Sequence, residues 1–327
     1  MGSPLYTGLL GRAAEDVEAG GPAWSILSGH VAPGRGDAVA LRLMAAVHRL
    51  VLRGEAPRLA RQYPSAGGQP DEDAWPAFRE VLADRAEEVA ALLALPCQTN
   101  EVGRCAALVW GFLEVAARTG LPLRVLEVGA SAGLNLRWDR FRYGGGGALW
   151  GDPLSPVDLQ GLWADPPFSL PARIEVRERA GCDRRPVDPT TPEGRLGLEA
   201  SVWADQTARV RRLRGALELA ARIPAHVDQA SLDEWLPGRL AHPAEGVATV
   251  VYHSVVEEYL PADVRARFHA ALEDAGGRAT AGAPLAWVRL EPMTAVRHHG
   301  VTLKTWPGGQ DRLLATSGAH GSGVRRA

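Results

Sequence analysis

Apolar residues recur at helical spacing through the first third of the chain. Residues 37–53 bring Val39, Leu43, Val47 and Leu50 onto one face, and residues 74–94 do the same with Trp75, Phe78, Leu82, Val89 and Leu93. Residues 100–119 form the clearest helix. Asn100 suits its N-cap, Glu101 suits its positive end, and Gly120 followed by Pro122 stops it. Tyr63–Gly68, between these helices, is rich in turn formers. No convincing strand precedes residue 121. Beyond it, short apolar runs alternate with helical stretches. The runs at 124–128, about 173–178, about 226–230, 247–252, 285–290, 300–305 and 311–316 predict strands, and 134–141, 206–222, 232–240 and 262–275 predict helices. The last two strands flank Trp306-Pro-Gly-Gly309, a short hairpin turn. The pattern predicts a helical N-terminal cap module over 1–120 and an α/β domain over 121–327. Its sheet should be mostly parallel, with an antiparallel C-terminal hairpin.

Composition narrows the function classes. The 327 residues are 46% hydrophobic and 23% charged, an ordinary globular balance. A net charge of −2 argues against nucleic acid, whose binders are expected to be basic. No run is long enough to span a bilayer, and the N-terminus lacks a basic region followed by an apolar core. A cytoplasmic protein without membrane attachment is expected. Cys97, Cys105 and Cys182 are odd in number and lack metal spacing, so they read as reduced thiols. The nine histidines include the pair His298-His299 but no His-x-x-x-His, and no structural metal is expected. Arg209, Arg211, Arg212 and Arg214 read as a solvated helix face. Nothing in the pattern sets an oligomeric state.

The candidate chemistry lies in Arg124-Val-Leu-Glu-Val-Gly-Ala-Ser-Ala-Gly-Leu-Asn-Leu136, an apolar strand, a turn of small residues and the start of a helix. Gly129 and Gly133 allow a tight turn and close approach of a ligand to the backbone. Glu127 ends the strand with a negative charge, which argues against phosphate and for a ligand bearing an ammonium or hydroxyls. A dinucleotide fingerprint is not matched, because Ser131 holds the middle glycine position and no third glycine follows. Two readings compete. Gly129-Ala-Ser131-Ala-Gly133 matches the G-x-S-x-G nucleophile elbow of α/β-hydrolases. Asp183 or Asp228 as the acid and His253 or His320 as the base would keep the order Ser…Asp…His. Glu127, Gly129 and Gly133 also match the E/D-x-G-x-x-x-G loop of class I S-adenosylmethionine methyltransferases. Chain order favours the second, because a hydrolase elbow follows several strands whereas this turn follows the first. A non-catalytic module that holds S-adenosylmethionine is a further alternative.

Six segments carry a wider resemblance: Gln98-Thr-Asn-Glu-Val-Gly-Arg104, Leu126–Asn135, Gly151-Asp-Pro-Leu-Ser-Pro156, Val202-Trp-Ala-Asp-Gln206, Val251-Tyr-His-Ser-Val-Val256 and Trp306-Pro-Gly-Gly309. In this order, over roughly residues 40–320, the chain resembles the bacterial domain-of-unknown-function family 2332, which is assigned a methyltransferase-like fold. The resemblance implies a Rossmann-like class I methyltransferase sheet, S-adenosylmethionine as cofactor and a small-molecule substrate. By it, Glu127, Gly129, Ser131 and Gly133 line the methionine end of the cofactor, with Asn135 beside them. Gly181-Cys-Asp183 followed by Pro186 resembles the loop after strand two, making Asp183 the acid for the ribose hydroxyls. Asp183 lies 50 residues beyond Gly133, where about 20 is usual in such sheets. The excess is Trp138–Pro171, an insertion rich in Gly, Pro and Trp, whose Trp138, Trp150 and Trp163 are candidates to wall an apolar acceptor pocket. Ser231 and Leu232 occupy the adenine position after strand three, near Asp228 and Asp233. After strand four, His253 is the candidate general base, Glu257 its orienting acid and Tyr252 a substrate-side group. Asn100, Glu101 and Arg104 before strand one, and Asp205 at the start of helix 206–222, are further substrate-side candidates.

Overall fold

Leu123–Val128 and Ala248–Ser254 are almost wholly buried, and strands without polar alternation belong in a parallel sheet covered on both faces. A computed structural model describes residues 2–29, 38–95, 97–171, 173–293 and 298–327, and in it both runs are neighbouring central strands. The strands are β1 (Leu123–Val128), β2 (Arg142–Gly145), β3 (Ala148–Gly151), β4 (Asp158–Trp163), β5 (Val176–Asp183), β6 (His226–Gln229), β7 (Ala248–Ser254), β8 (Leu285–Pro292), β9 (His299–Trp306), β10 (Asp311–Ser317) and β11 (Arg325–Arg326). Eight of them form one sheet in the order β11-β10-β9-β8-β7-β1-β5-β6. The half from β6 to β8 is parallel, and β9, β10 and β11 add antiparallel pairs. From β1 the chain moves outward to β5 and β6, then crosses to the other side for β7 and β8. That is a doubly wound order with its switch point between β1 and β7, and sheets of this order take ligands at the carboxyl ends of such strands. Register places Glu127 beside Tyr252 and Val128 beside Cys182. Gly129, Asp183 and His253 therefore all fall at that end of the sheet.

The expected insertion has a sheet of its own, in the order β3-β2-β4. Gly146 and Gly147, both at positive φ (55° and 82°), make the tight turn that pairs β2 with β3. Trp138 stacks on Trp150 at 6.0 Å and Tyr143 on Trp163 at 5.8 Å. The Trp163 indole donates to the Ala106 carbonyl at 2.8 Å. Trp138 and Trp163 are buried, so these rings pack the insertion rather than wall an acceptor pocket.

The helix Cys105–Thr119 is buried from Cys105 to Ala116, as expected for a helix that is apolar nearly all round. It lies so close to β8 that a Cβ at Gly111 would sit 2.6 Å from Val288 Cγ1. It ends at Gly120, whose φ of 65° is the left-handed stop predicted for it. Its packing makes it part of the sheet unit. The two compact units are Asn100–Pro189 with Gly215–Ala327, and Met1–Thr99 with Thr190–Arg214. By compactness the division falls at Thr99/Asn100 rather than at residue 120. The helical unit also gains the helix Pro192–Ala200, which no apolar pattern announces. Its core is built on Tyr6, Val47, Leu50, Phe78 and Leu82. The helix expected over 74–94 is two, Ala74–Asp84 and Ala86–Leu93, broken where Arg85 leaves helical geometry (φ −124°, ψ 28°).

Candidate functional site

The chain leaves β1 through Gly129 (φ 67°), Ser131 (φ 53°) and Gly133 (φ 64°). Glycine adopts such angles freely, whereas Ser131 carries about 1–2 kcal/mol of strain. Asp183, the last residue of β5, holds the turn. One carboxylate oxygen accepts the Ser131 N–H and the other the Arg185 N–H, each at 2.8 Å. Asn100 adds a second clamp, its Oδ1 accepting the Leu134 N–H at 2.8 Å. Asn100 is therefore not the cap of the following helix. Glu101 instead caps a 3-10 turn, Val102–Arg104, its carboxylate accepting the Gly103 N–H at 3.1 Å, and the helix Cys105–Thr119 follows with Arg104 at its N-cap position. The expected helix 134–141 is likewise a 3-10 stretch, Leu134–Arg140, broken at Arg137.

The glycines serve close packing of the protein on itself. A Cβ at Gly129 would lie 2.6 Å from Val256 Cγ2, and one at Gly133 would lie 2.7 Å from Val227 Cγ2. Val256 belongs to the turn after β7, which repeats the design of the first. Val255 is held at φ 57°, an outlying value for a β-branched residue, and a carboxylate from the next strand supports it. Glu291 on β8 accepts the Val256 N–H at 2.9 Å and the Glu257 N–H at 3.4 Å.

Glu127, Tyr252 and Asn135 meet below the first turn. Glu127 is 2% exposed, and the Tyr252 hydroxyl donates to it at 3.1 Å. Asn135 adds a side-chain hydrogen bond. Burial pushes the Glu127 carboxyl up to about 8 and brings the Arg137 guanidinium down to about 10. Arg137 donates to the carbonyls of Gly133 and Ile223, at 2.7 and 2.8 Å. Ser131 Oγ and Asn135 Oδ1 are buried without a hydrogen-bond partner among the described residues.

His253 stands apart from this group. Its ring is fully buried. Nδ1 lies 2.7 Å from Glu291 Oε1, and Nε2 accepts from the Trp287 indole at 3.1 Å. An indole only donates, so Nε2 carries the lone pair and Nδ1–H donates to Glu291. The expected base at an open strand end is thus a sealed ring with both nitrogens engaged. Glu257 does not orient it. Its Oε1 is 3.6 Å from Nε2, beyond hydrogen-bond reach, and 3.3 Å from His269 Nε2.

The remaining candidates have structural partners. Ser231 Oγ donates to Asp233, and Leu232 is buried in the core with Leu236 and Phe268. Asp228 accepts from the Trp235 indole at 2.6 Å. Glu101 Oε2 lies 3.3 Å from His320 Nδ1, while Arg104 donates to the carbonyls of Ala319 and Ser254 at 3.1 and 3.2 Å. Both residues thus fasten the segment after β10. Asp205 belongs to the helical unit, where its carboxylate accepts the Leu5 N–H at 3.2 Å in the first turn of helix Pro4–Glu18. No helix among the described residues is long and apolar enough to cross a membrane. None of their His, Cys, Asp and Glu side chains gather in threes that would hold a metal ion.

A family profile described as an uncharacterized protein conserved in bacteria, DUF2332, matches residues 1–326. The chain belongs to that family. No curated protein matches it. The DUF2332 match takes in both compact units, so the family comprises the helical unit as well as the sheet.

In this DUF2332 chain Glu291, Arg137 and Val256 join the site without standing among the candidates that the sequence marks. Glu291 had a signal, being the polar residue that ends the apolar run 285–290, just as Glu127 and His253 sit at the ends of theirs. Its carboxyl is held below the ordinary range. Burial alone would raise it, but the His253 hydrogen bond and the Val256 and Glu257 N–H groups outweigh that. Arg137 had none, and Val256 only closes the segment Val251–Val256, since the place of each at the site depends on which turn packs over which.

Proposed function

We propose that this chain binds S-adenosylmethionine at the turn after β1 and transfers its methyl group to a small-molecule acceptor. One observation carries the reading. The doubly wound order sets Glu127, Ser131 and Asn135 around a glycine turn at the switch point, where such sheets take ligands. Two of the three present buried polar atoms without partners among the described residues. Buried polar atoms are nearly always hydrogen-bonded, so a polar ligand would complete them. The residues fit the amino-acid end of the cofactor: Glu127 and Asn135 Oδ1 as acceptors, Ser131 Oγ as donor or acceptor. Asp183 accepts one N–H on each oxygen and retains a lone pair on each for a ribose diol. The parallel order followed by the β9–β10 hairpin supports a Rossmann-like methyltransferase sheet.

S-adenosylmethionine supplies a methyl group already activated on a sulfonium. Its transfer is an in-line displacement that depends chiefly on alignment of the acceptor. The sealed His253 is compatible with that chemistry. Glu127, Ser131 and Asn135 would hold and orient the ligand, and Asp183 would keep their turn in shape. Ser131 alone favours a second reading, since a strained serine with an unpaired hydroxyl is what a nucleophile elbow presents. That hydroxyl meets no histidine among the described residues.

Calorimetric titration with S-adenosylmethionine and S-adenosylhomocysteine tests the proposal. Saturable binding of both is expected, and no heat with either would refute it. A fluorophosphonate adduct mapped to Ser131 would move the reading to a hydrolase.

A further inference from the structure

Among the described residues Glu127 has no counter-ion in contact. Its hydrogen bonds come from neutral donors, the Tyr252 hydroxyl on β7 and the Asn135 side chain. The titratable groups facing it are Asp183 and Cys182 on β5, Cys105 on the helix Cys105–Thr119, Arg137 after the turn, and Tyr252 itself. Asp183 opposes a second negative charge. Burial raises both thiols and the phenol, which keeps them neutral. Arg137 is the one cation among these groups, and its donors go to the Ile223 and Gly133 carbonyls. A carboxylate sealed from water without a paired cation takes up a proton instead.

We propose that Glu127 is a proton-coupled receptor for a cationic head group: an ammonium entering the turn displaces the carboxyl proton and leaves the carboxylate as its counter-ion. The inference rests on the proposed function for the site and adds the coupling of binding to a proton, and so its control by pH. The step balances. The O–H bond of Glu127 breaks, its proton passes to the buffer, and the carboxylate gains an N–H···O contact from the ligand. With the free carboxyl near 8, affinity should rise about tenfold for each pH unit between about 6 and 7. That window lies below the range in which an α-amino group itself titrates.

The experiment is titration calorimetry with S-adenosylhomocysteine at about pH 7, in buffers of different ionisation enthalpy. The buffer dependence should report about one proton released per ligand bound. Glu127→Gln should bind with no proton release and with an affinity that stays level as pH falls. An analogue lacking the amino group should bind the parent without proton release. Binding of S-adenosylhomocysteine without proton release would overturn this inference and leave the proposed function standing, whereas no binding at all would overturn both. Infrared spectra of the ligand-free protein provide a second readout. A protonated-carboxyl band at neutral pH should be present in the parent and missing in Glu127→Gln, and its absence from the parent would also overturn the inference.

Discussion

Replacing His253 by alanine should unfold the protein more readily rather than leave a folded, inactive one. The ring is fully buried, donates to Glu291 at 2.7 Å, accepts from Trp287 at 3.1 Å and packs edge-on to Phe268 at 5.8 Å. Loss of a hydrogen bond to a carboxylate costs about 1.5–3 kcal/mol, and a buried indole N–H left without an acceptor about 1–3 kcal/mol. The cavity from an aromatic truncation costs about 3–5 kcal/mol. These effects share the same atoms, so they overlap, and a total of about 4–6 kcal/mol is expected. That is a large part of the ~5–15 kcal/mol that keeps a domain folded. His253→Asn retains a donor for Glu291 and most of the polarity, and should lose about half as much. Urea unfolding read by tryptophan fluorescence measures both variants, with Trp287 in contact with the altered side chain. The midpoint should fall at unchanged slope. A His253→Ala protein within about 1 kcal/mol of the parent that nevertheless lost turnover would refute the structural role and restore the ring to proton transfer.

Asp183→Asn should cost about 1.5–3 kcal/mol, because an amide offers one oxygen to the two N–H groups of Ser131 and Arg185. Equal urea midpoints would show that the carboxylate does not hold the turn. Glu127 predicts a pH dependence. Its folded value, about 8, lies above the ordinary carboxyl value, so the folded protein holds an extra proton between the two. The contribution is fully present below the unfolded value and is lost as pH rises through the folded one, at up to ~1.4 kcal/mol per pH unit relative to Glu127→Gln. Parallel pH–stability curves for parent and variant would refute this. Glu291 runs the other way, its carboxyl being held below the ordinary range. Its contribution should be present above the unfolded value and disappear in acid as pH falls through the folded one, and a Glu291→Gln penalty that persisted there would count against the pairing. Ser131→Ala should be neutral or slightly stabilising, since its hydroxyl has no partner among the described residues to lose. A loss above about 2 kcal/mol would mean that the hydroxyl is bonded in the free protein.

Elements with a local signal were legible in the order of residues alone. β1, β7, β8, β9 and β10 are short runs rich in apolar and β-branched residues, and each forms within about two residues of its expected bounds. Gly120 stops its helix, and the glycine turn follows the first strand of the sheet, because both depend on backbone freedom at single residues. The strand expected near 173–178 forms at 176–183 instead, where pairing with β1 and β6 overrides its weak alternation. The strands of the insertion escaped notice because glycines and tryptophans obscure a period of two. The partners of the site residues were not legible there and came from the folded sheet. Asp183 reads as a ligand acid, and the fold also makes it the clamp of Ser131, 52 residues away. His253 reads as an open base, yet Trp287 and Glu291, 34 and 38 residues away, close over it. Glu127 is negative on paper and is driven toward neutrality by burial. The reason is common to all three. Hydrophobic period reports which face of an element turns inward, but the protonation and partners of a polar side chain depend on which strand lies beside it and in what register. Those are set by the crossovers of the whole sheet.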